Sequence, residues 1–501
     1  MRGKPNDTVI HSDRLHRDEG VLVTTPKDIL RSGSLMFLSQ IVNLIIGLAT
    51  TVLIARSLGE GNFGVFTSLI ATVALISIIP DFGFGPILVR ELVQKPGSVG
   101  IIVGTSLVLR SVLFVGTIVL LNVILLLLHA DGDRSLLINV MLLNVLFSAK
   151  LPVLRNVLES VFRSRLKMGI PVAMTILDST VLFIFVLMLL RSDTSVLTFV
   201  ILYTVSNIPG FLLMLAATRQ VSNASFSFDP NLAKSLVVFA FPVFLYAVFI
   251  AVYSNADVLL LQYTQGDYQT GIYGAAARLA GPLSFVSNAV TVALYPSLSK
   301  LTDGGVENRG TIVRLGFKIL AVIGVSVAIF GFFSARTITA LLYGAKFQGS
   351  WLPLSFLLFA QVFSFLSFFF TNVNTAINRQ SLNTLFAVLV CTTNIGLNLL
   401  LIPHWSASGA AVAKLVTEFV GCLFLLAILR KFVTFDSMRV LSKILGLTIL
   451  LSLGLFLLQG FNFILFLVLG CVVLLVLLVV LRVFDESEVS KLKMALRRAP
   501  A

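Results

Sequence analysis

Residues Leu48–Leu92 read LATTVLIARSLGEGNFGVFTSLIATVALISIIPDFGFGPILVREL, two long apolar runs meeting at a turn that carries Gly59, Gly61 and Gly64. The second run closes on Asp81-Phe82-Gly83, with Arg90-Glu91 a few residues beyond. Glycines clustered between two apolar runs mark a tight turn, and Asp81 ahead of Gly83 and Gly85 suits a cap or a bend. A related pattern returns at Gln265–Leu279, QGDYQTGIYGAAARL. A shift of 207 positions lays Gly59 on Gly266, Gly64 on Gly271 and Phe66 on Tyr273. The match predicts a chain made of two similar halves, the organisation on which alternating-access transporters are built.

Composition decides the solvent. Of 501 residues, 57% are hydrophobic and 12% charged, with a mean hydropathy of +1.00, whereas soluble domains carry about 25% charged residues. Apolar runs of about 20 residues, enough to cross about 30 Å of hydrocarbon, recur from Leu35 to Leu481. Backbone in lipid must satisfy its own polar groups, so these runs are read as helices. The expected fold is an all-α polytopic membrane protein of about 14 spans.

The spans fall near 34–55, 63–84, 99–128, 134–160, 168–190 and 194–217, then 233–262, 271–298, 311–333, 351–377, 381–401 and 408–430, with two more at 438–458 and 461–482. This predicts a polar tail (1–30), a first six-helix lobe (31–220) and a second six-helix lobe (230–430). Two further helices (436–482) and a tail (483–501) complete the chain. The longest connection, about 333–350, has room for a short interfacial helix with Phe347 and Trp351 at headgroup level.

With the N-terminus cytoplasmic, 28 Lys and Arg fall on the cytoplasmic side and 5 on the other. That bias predicts both termini inside. It also accounts for the net charge of +14 without a nucleic-acid partner. The three cysteines lie in apolar runs without paired spacing and read as small hydrophobes.

Enzyme signatures are absent. There is no phosphate-binding GxxxxGK[ST] loop and no HExxH, and the four histidines lie in the tail or in loops. No metal site and no organic cofactor are expected, and coupling to H+ or Na+ stays open. The informative residues are charges inside spans, each costing at least about 2.5 kcal/mol at a helix centre unless it meets a cavity or a partner.

Arg110, Lys150 and Arg278 are the candidates for a cationic lining that binds an anionic substrate, with an interhelical ion pair or snorkelling as the structural alternatives. Arg90, at the cytoplasmic end of its span, could meet a lipid phosphate. Asp257 is a candidate for ion coupling, for pairing with Arg278 or for reaching water, and Asp178 for a proton or cation site or for pairing with a basic residue of the fourth span. Arg155 with Glu159, and Lys414 with Glu418, have the i, i+4 spacing of self-neutralising pairs. Phe363, Phe365, Phe368, Phe369 and Phe370 crowd one span and read first as packing.

Several stretches carry a resemblance. LIARSLGEGNFGVFTSLI with DFGFGPILVREL, DVLLLQYTQGDYQTGIYGAAARL, YPSLSKL and LLYGAKFQGSWLPL, with NIGLNLLLIPHWSASGAAVAKLVTE (Asn394–Glu418) the most specific, resemble the Wzx-like polysaccharide-biosynthesis flippases. These belong to the multidrug/oligosaccharidyl-lipid/polysaccharide (MOP) exporter superfamily. The similarity covers roughly residues 30 to 430. It implies two lobes about a central cavity and translocation of a polyprenyl-diphosphate-linked oligosaccharide to the outer leaflet of a prokaryotic cytoplasmic membrane. The expected partners are that lipid-linked oligosaccharide, membrane lipids and a polysaccharide polymerase. The alternative is a cation-coupled multidrug exporter of the same superfamily.

Overall fold

In lipid the backbone must close its hydrogen bonds within helices or closed barrels, and the computed structural model is helical with no strand among the described residues. It describes residues 26–484 except 130, 149–150, 152, 166, 190–193, 223–225, 299–305 and 431–436. Residues 1–25 of the predicted N-terminal tail, Lys150 and all but the first residues of the C-terminal tail therefore lie outside the described residues, while residues 26–30, expected in the tail, are already helical.

The first half comprises α1 (Pro26–Ile76), α2 (Ile78–Asp81), α3 (Phe84–Gln94), α4 (Val99–Leu127), α5 (Gly132–Phe147), α6 (Leu154–Ser164), α7 (Gly169–Leu189), α8 (Val196–Val205) and α9 (Ile208–Ser222). The second comprises α10 (Pro230–Ala280), α11 (Ser284–Leu298), α12 (Val306–Tyr343), α13 (Trp351–Ala376) and α14 (Ser381–Leu429), followed by α15 (Ser437–Leu457) and α16 (Phe463–Val480).

Helices α1 and α10 each run for 51 residues. A straight rod of that length would reach about 77 Å, more than twice the hydrocarbon thickness of about 30 Å. Each carries one non-helical residue, Gly59 (φ 70°, ψ 174°) and Gly266 (φ 80°, ψ −172°), a conformation open to glycine and strained for other residues. The 207-residue repeat thus returns as the same backbone conformation at the same place in both halves. A third break, at Ser406 (φ 48°, ψ −128°), divides α14.

Ten segments among the described residues are long and apolar enough to cross a membrane. The expected fourteen correspond to these ten only if the three long helices are divided at their breaks and the interrupted α5–α6 is added. The chain is a multi-pass integral membrane protein.

Lipid tails are as apolar as leucine, so helices in a membrane associate through close packing rather than hydrophobic exclusion. The α1–α10 pair makes the most extensive interhelical contact among the described residues, and small residues line it. A Cβ at Gly64 would stand 1.8 Å from the Asp267 carbonyl oxygen, and one at Gly271 would stand 1.8 Å from the Glu60 carbonyl oxygen. A Cβ at Gly274 would stand 2.7 Å from the Thr67 hydroxyl. We call the end of the molecule that carries these breaks the corner face. Helices α15 and α16 pack on α12 and on each other.

Two local expectations are corrected. The 333–350 connection is not a loop, because α12 continues to Tyr343 and a 3₁₀ turn spans Ala345–Ser350. Phe347 faces the protein interior and not the lipid headgroups: it is fully buried, edge-on to Phe63 at 5.9 Å and against Tyr343 at 5.3 Å. Phe365, Phe369 and Phe370 are buried in the second-half core, as packing predicts.

Candidate functional site

Polar hydroxyls and one arginine set a cavity apart from the apolar interior around it. Gly47, Thr50, Thr51 and Ile54 on the first arm of α1, Phe66 on its second arm, Ser179 on α7, Tyr203 on α8 and Arg278 on α10 line it. Both halves therefore contribute to one site. Its free interior is about 30 Å³, room for one or two waters. A second polar recess adjoins it, sharing Ser179, Leu182 and Tyr203 and adding Ser148, Asp178 and Asn207.

Arg278 is half-buried and, among the described residues, makes no ion pair and donates no hydrogen bond. It is the sequence candidate that lines the central cavity. Lys150 lies outside the described residues, Asp178 lines the adjoining recess, and Arg110, Arg90 and Asp257 are held elsewhere by identifiable partners.

Arg110 is fully buried on α4. Its Nη1 donates to Asp81 Oδ1 at 3.0 Å and to the Val153 carbonyl at 2.5 Å, and its guanidinium lies 5.6 Å from the Phe84 ring centroid. It braces the break between α2 and α3, where Phe82 and Gly83 both take positive φ. Asp81 is thus at a bend, as its sequence context predicts. Among the described residues the Nε and Nη2 of Arg110 have no partner.

Asp178 is engaged by Arg155, whose Nη1 donates to its carboxylate, and by the Gly210 backbone N–H at 3.0 Å. The predicted Arg155–Glu159 pair forms at 3.2 Å, and Glu159 also accepts from Arg163 at 3.2 Å. The result is a buried network tying α6 to α7 and α9.

Asp257 centres a comparable network in the second half. It accepts from Tyr273 Oη at 2.9 Å and Asn398 Nδ2 at 2.6 Å, with Lys414 Nζ at 3.9 Å. Two expected pairings are corrected: Asp257 does not pair with Arg278, and Lys414 does not pair with Glu418. Lys414 turns instead to Asp257 and to the Tyr253 ring, 3.4 Å from its centroid, while Glu418 accepts from Tyr253 Oη. Tyr253 and Asn398 carry no role in the sequence reading, and Tyr273 enters it only as the repeat counterpart of Phe66. The only available signal was hydroxyl and amide groups within apolar runs.

Arg90 lies at the far end from the corner face, 47% exposed, 3.5 Å from Glu91 and 5.3 Å from the Phe239 ring centroid. Glu91 is held more closely by Lys95, at 2.9 Å.

At the corner face, polar contacts join the halves. Arg134 on α5 reaches Asp267, just past the Gly266 break, at 2.9 Å, and Gln262 donates to the same carboxylate. Arg56, on the first arm of α1, donates through Nε and Nη2 to the carbonyls of Leu342 and Leu341, both at 2.6 Å. These carbonyls belong to the last turn of α12, which leaves its final carbonyls without helical partners.

Comparison with known proteins now bears on this geometry. The model of the polysaccharide biosynthesis protein family matches residues 29–302, more than half of the chain. The chain belongs to the polysaccharide biosynthesis protein family. Among curated relatives of this family member, the probable flippase AglR of Haloferax volcanii is 27% identical over 183 residues, covering 36% of this chain and 38% of that one. An uncharacterized membrane protein of Methanocaldococcus jannaschii is 23% identical over 246 residues, covering 47% of this chain and 58% of that one. The chain thus spans less than two thirds of the length of either relative.

Its fold is similar to that of the lipid II flippase MurJ in an inward closed conformation (TM-score 0.71, 16% identity, 89% of this chain and 97% of that one). It is also similar to an inward-facing multidrug resistance MATE family transporter of the MOP superfamily (TM-score 0.61, 15% identity, 77% and 94%). The family member therefore has the fold of MOP-superfamily transporters.

Proposed function

We propose that this protein is a flippase that moves a polyprenyl-diphosphate-linked oligosaccharide across the membrane by alternating access, without covalent chemistry. The observation that carries the reading is Arg278, a cation without an ion partner among the described residues, in a cavity that both halves line with hydroxyl and apolar groups. A diphosphate needs such a charge where water is scarce, and the lipid tail can stay in the bilayer.

The cavity is far too small for a sugar-diphosphate, so substrate enters only when the halves part. The corner face is sealed by the α1–α10 glycine contact and the Arg134 and Arg56 latches, so the opposite face opens first. The Lys and Arg bias of 28 to 5 makes the corner face the outer one. Both termini are then cytoplasmic, the membrane is the cytoplasmic membrane of a prokaryote, and a polysaccharide polymerase receives the product.

Of the other basic candidates, Arg110 acts in this reading as a brace rather than a substrate ligand. Arg90 meets the substrate phosphates at the cytoplasmic mouth before they reach Arg278. The cation-coupled exporter reading would use Asp257 or Asp178, yet each already has a basic partner, Lys414 and Arg155 respectively. Coupling at either site would have to displace that partner.

The test is reconstitution in liposomes with a fluorescent polyprenyl-diphosphate oligosaccharide, scored by exposure in the opposite leaflet. The wild-type protein is expected to accelerate exposure, and Arg278→Ala to lower the rate by about tenfold or more, equivalent to the loss of one charge-assisted contact. No acceleration by the wild-type protein would remove the flippase reading. Wild-type rates in Arg278→Ala would remove the role of this cavity.

A further inference from the structure

The corner face holds a further recess, which shares no lining residue with the two already described. It occupies about 360 Å³, within the range of small-ligand sites, about 300–1,000 Å³. The Gly266 break, the Ala345–Ser350 turn and the Ser406 break bound it.

Two flat aromatic side chains stand at this recess, Trp405 (57% exposed) and Tyr268 (49% exposed). Gln269, His404 and Ser408 add amide, imidazole and hydroxyl groups. None of its lining residues is Asp, Glu, Lys or Arg. The backbone that presents Trp405 is strained, since Ser406 takes a positive φ without being glycine. That conformation is held by Ser406 Oγ donating to Gln265 Oε1 at 2.9 Å. A strained residue at the rim of an open recess is the kind of position that functional sites retain.

The lining discriminates among ligand classes. A phosphate headgroup would call for a cation, and a cationic drug for a carboxylate; the recess offers neither. A sugar ring has an apolar C–H face that stacks on an aromatic side chain and a rim of hydroxyls that exchange hydrogen bonds with neutral polar groups. The recess offers both.

We propose that this recess is a saccharide subsite, in which an uncharged sugar unit stacks on Trp405 and Tyr268 and is hydrogen-bonded by Gln269 and Ser408. The inference rests on the flippase reading and on the corner face being the outer one. It divides recognition in two: Arg278 meets the phosphate charge inside, and the neutral recess meets the glycan at the exit. Membrane-surface anchoring is the competing use of an exposed Trp and Tyr, but it needs neither a recess nor Gln269.

The chain has two tryptophans, Trp351 and Trp405, so Trp351→Phe leaves Trp405 as the sole reporter. This full-length variant, in nanodiscs, is titrated with linear glucose, galactose and mannose tetrasaccharides. A saturable change in Trp405 emission with at least one of them is expected, weakened about tenfold by Gln269→Ala or Tyr268→Ala.

In liposomes, Gln269→Ala and Trp405→Leu should each slow translocation of the fluorescent oligosaccharide lipid at sub-saturating substrate. Both should spare a polyprenyl diphosphate that carries a single sugar. Wild-type rates in both variants, equal slowing of both substrates, or no Trp405 response to any of the three sugars overturns the subsite. A wild-type protein that translocates nothing while Trp405 still responds removes the flippase reading and leaves the subsite standing.

Discussion

A guanidinium in hydrocarbon must find its countercharge within the protein, and Arg155 does so completely. Its three nitrogens meet Glu159, Asp178, Thr175 and the Phe147 carbonyl. Removing one member of such a buried set leaves the others charged and unmatched, a cost of about 3–5 kcal/mol. Arg155→Met should therefore lower the thermal midpoint of the protein in nanodiscs sharply. Arg155→Met combined with Asp178→Leu should recover much of the loss, because the unmatched charge goes with its partner. An equal midpoint in the single and double variants would show that Asp178 does not depend on Arg155. Arg110 is matched less fully, through Nη1 alone, and Arg278 least of all. That ordering is the physical basis for treating the three differently although each is an arginine amid apolar residues.

At the scale of elements, the close crossing of α1 and α10 tolerates no added methyl group. Gly64→Ala or Gly271→Ala should force the two helices apart, costing about 1–3 kcal/mol by analogy with overpacked cores. Thermal unfolding in nanodiscs would show it, and Gly61→Ala is the control, since nothing lies within 4 Å of a Cβ built there.

These glycines were legible in the sequence because a turn and its repeat leave the same residues at a fixed shift. The bend at Asp81-Phe82-Gly83 was legible too, from a carboxylate followed by glycine. That Asp178 could pair with a basic residue of the fourth span, and Arg110 with another helix, was legible; which partner each takes was not. Arg110 and Asp81 are 29 positions apart, and Arg155 and Asp178 are 23 apart. Spacing along one helix reveals only i, i+4 partners, so Arg155–Glu159 was foreseen while Lys414, drawn across to α10, was not. The corner latches escaped for another reason. Arg56 binds backbone carbonyls, and every residue has one.

For the whole molecule, opening the corner face requires the Arg134–Asp267 contact, 43% exposed on both sides, to break along with the glycine crossing. An exposed ion pair contributes little, about 0–1 kcal/mol, so it acts as a latch and not as a lock. Arg134→Ala is accordingly expected to change the translocation rate only modestly. Joining Arg134→Cys to Asp267→Cys with a short bis-methanethiosulfonate linker should stop translocation, and dithiothreitol should restore it. Full activity in the linked protein would mean that the corner does not part during the cycle.

The Gly64–Asp267 and Gly271–Glu60 contacts have one more consequence. Each glycine sits on a backbone oxygen of the opposite half, at matching distances and at positions related by the repeat. A contact in which patch one meets patch two, and patch two meets patch one, is the signature of a two-fold homodimer interface. Here it is folded into a single chain. Such a surface is complementary before any covalent connection exists, so the connection between α9 and α10 is dispensable for recognition. Cut there and co-expressed, residues 1–223 and 224–501 should find each other in the membrane and co-purify, with either fragment weakened by alanine at its own glycine.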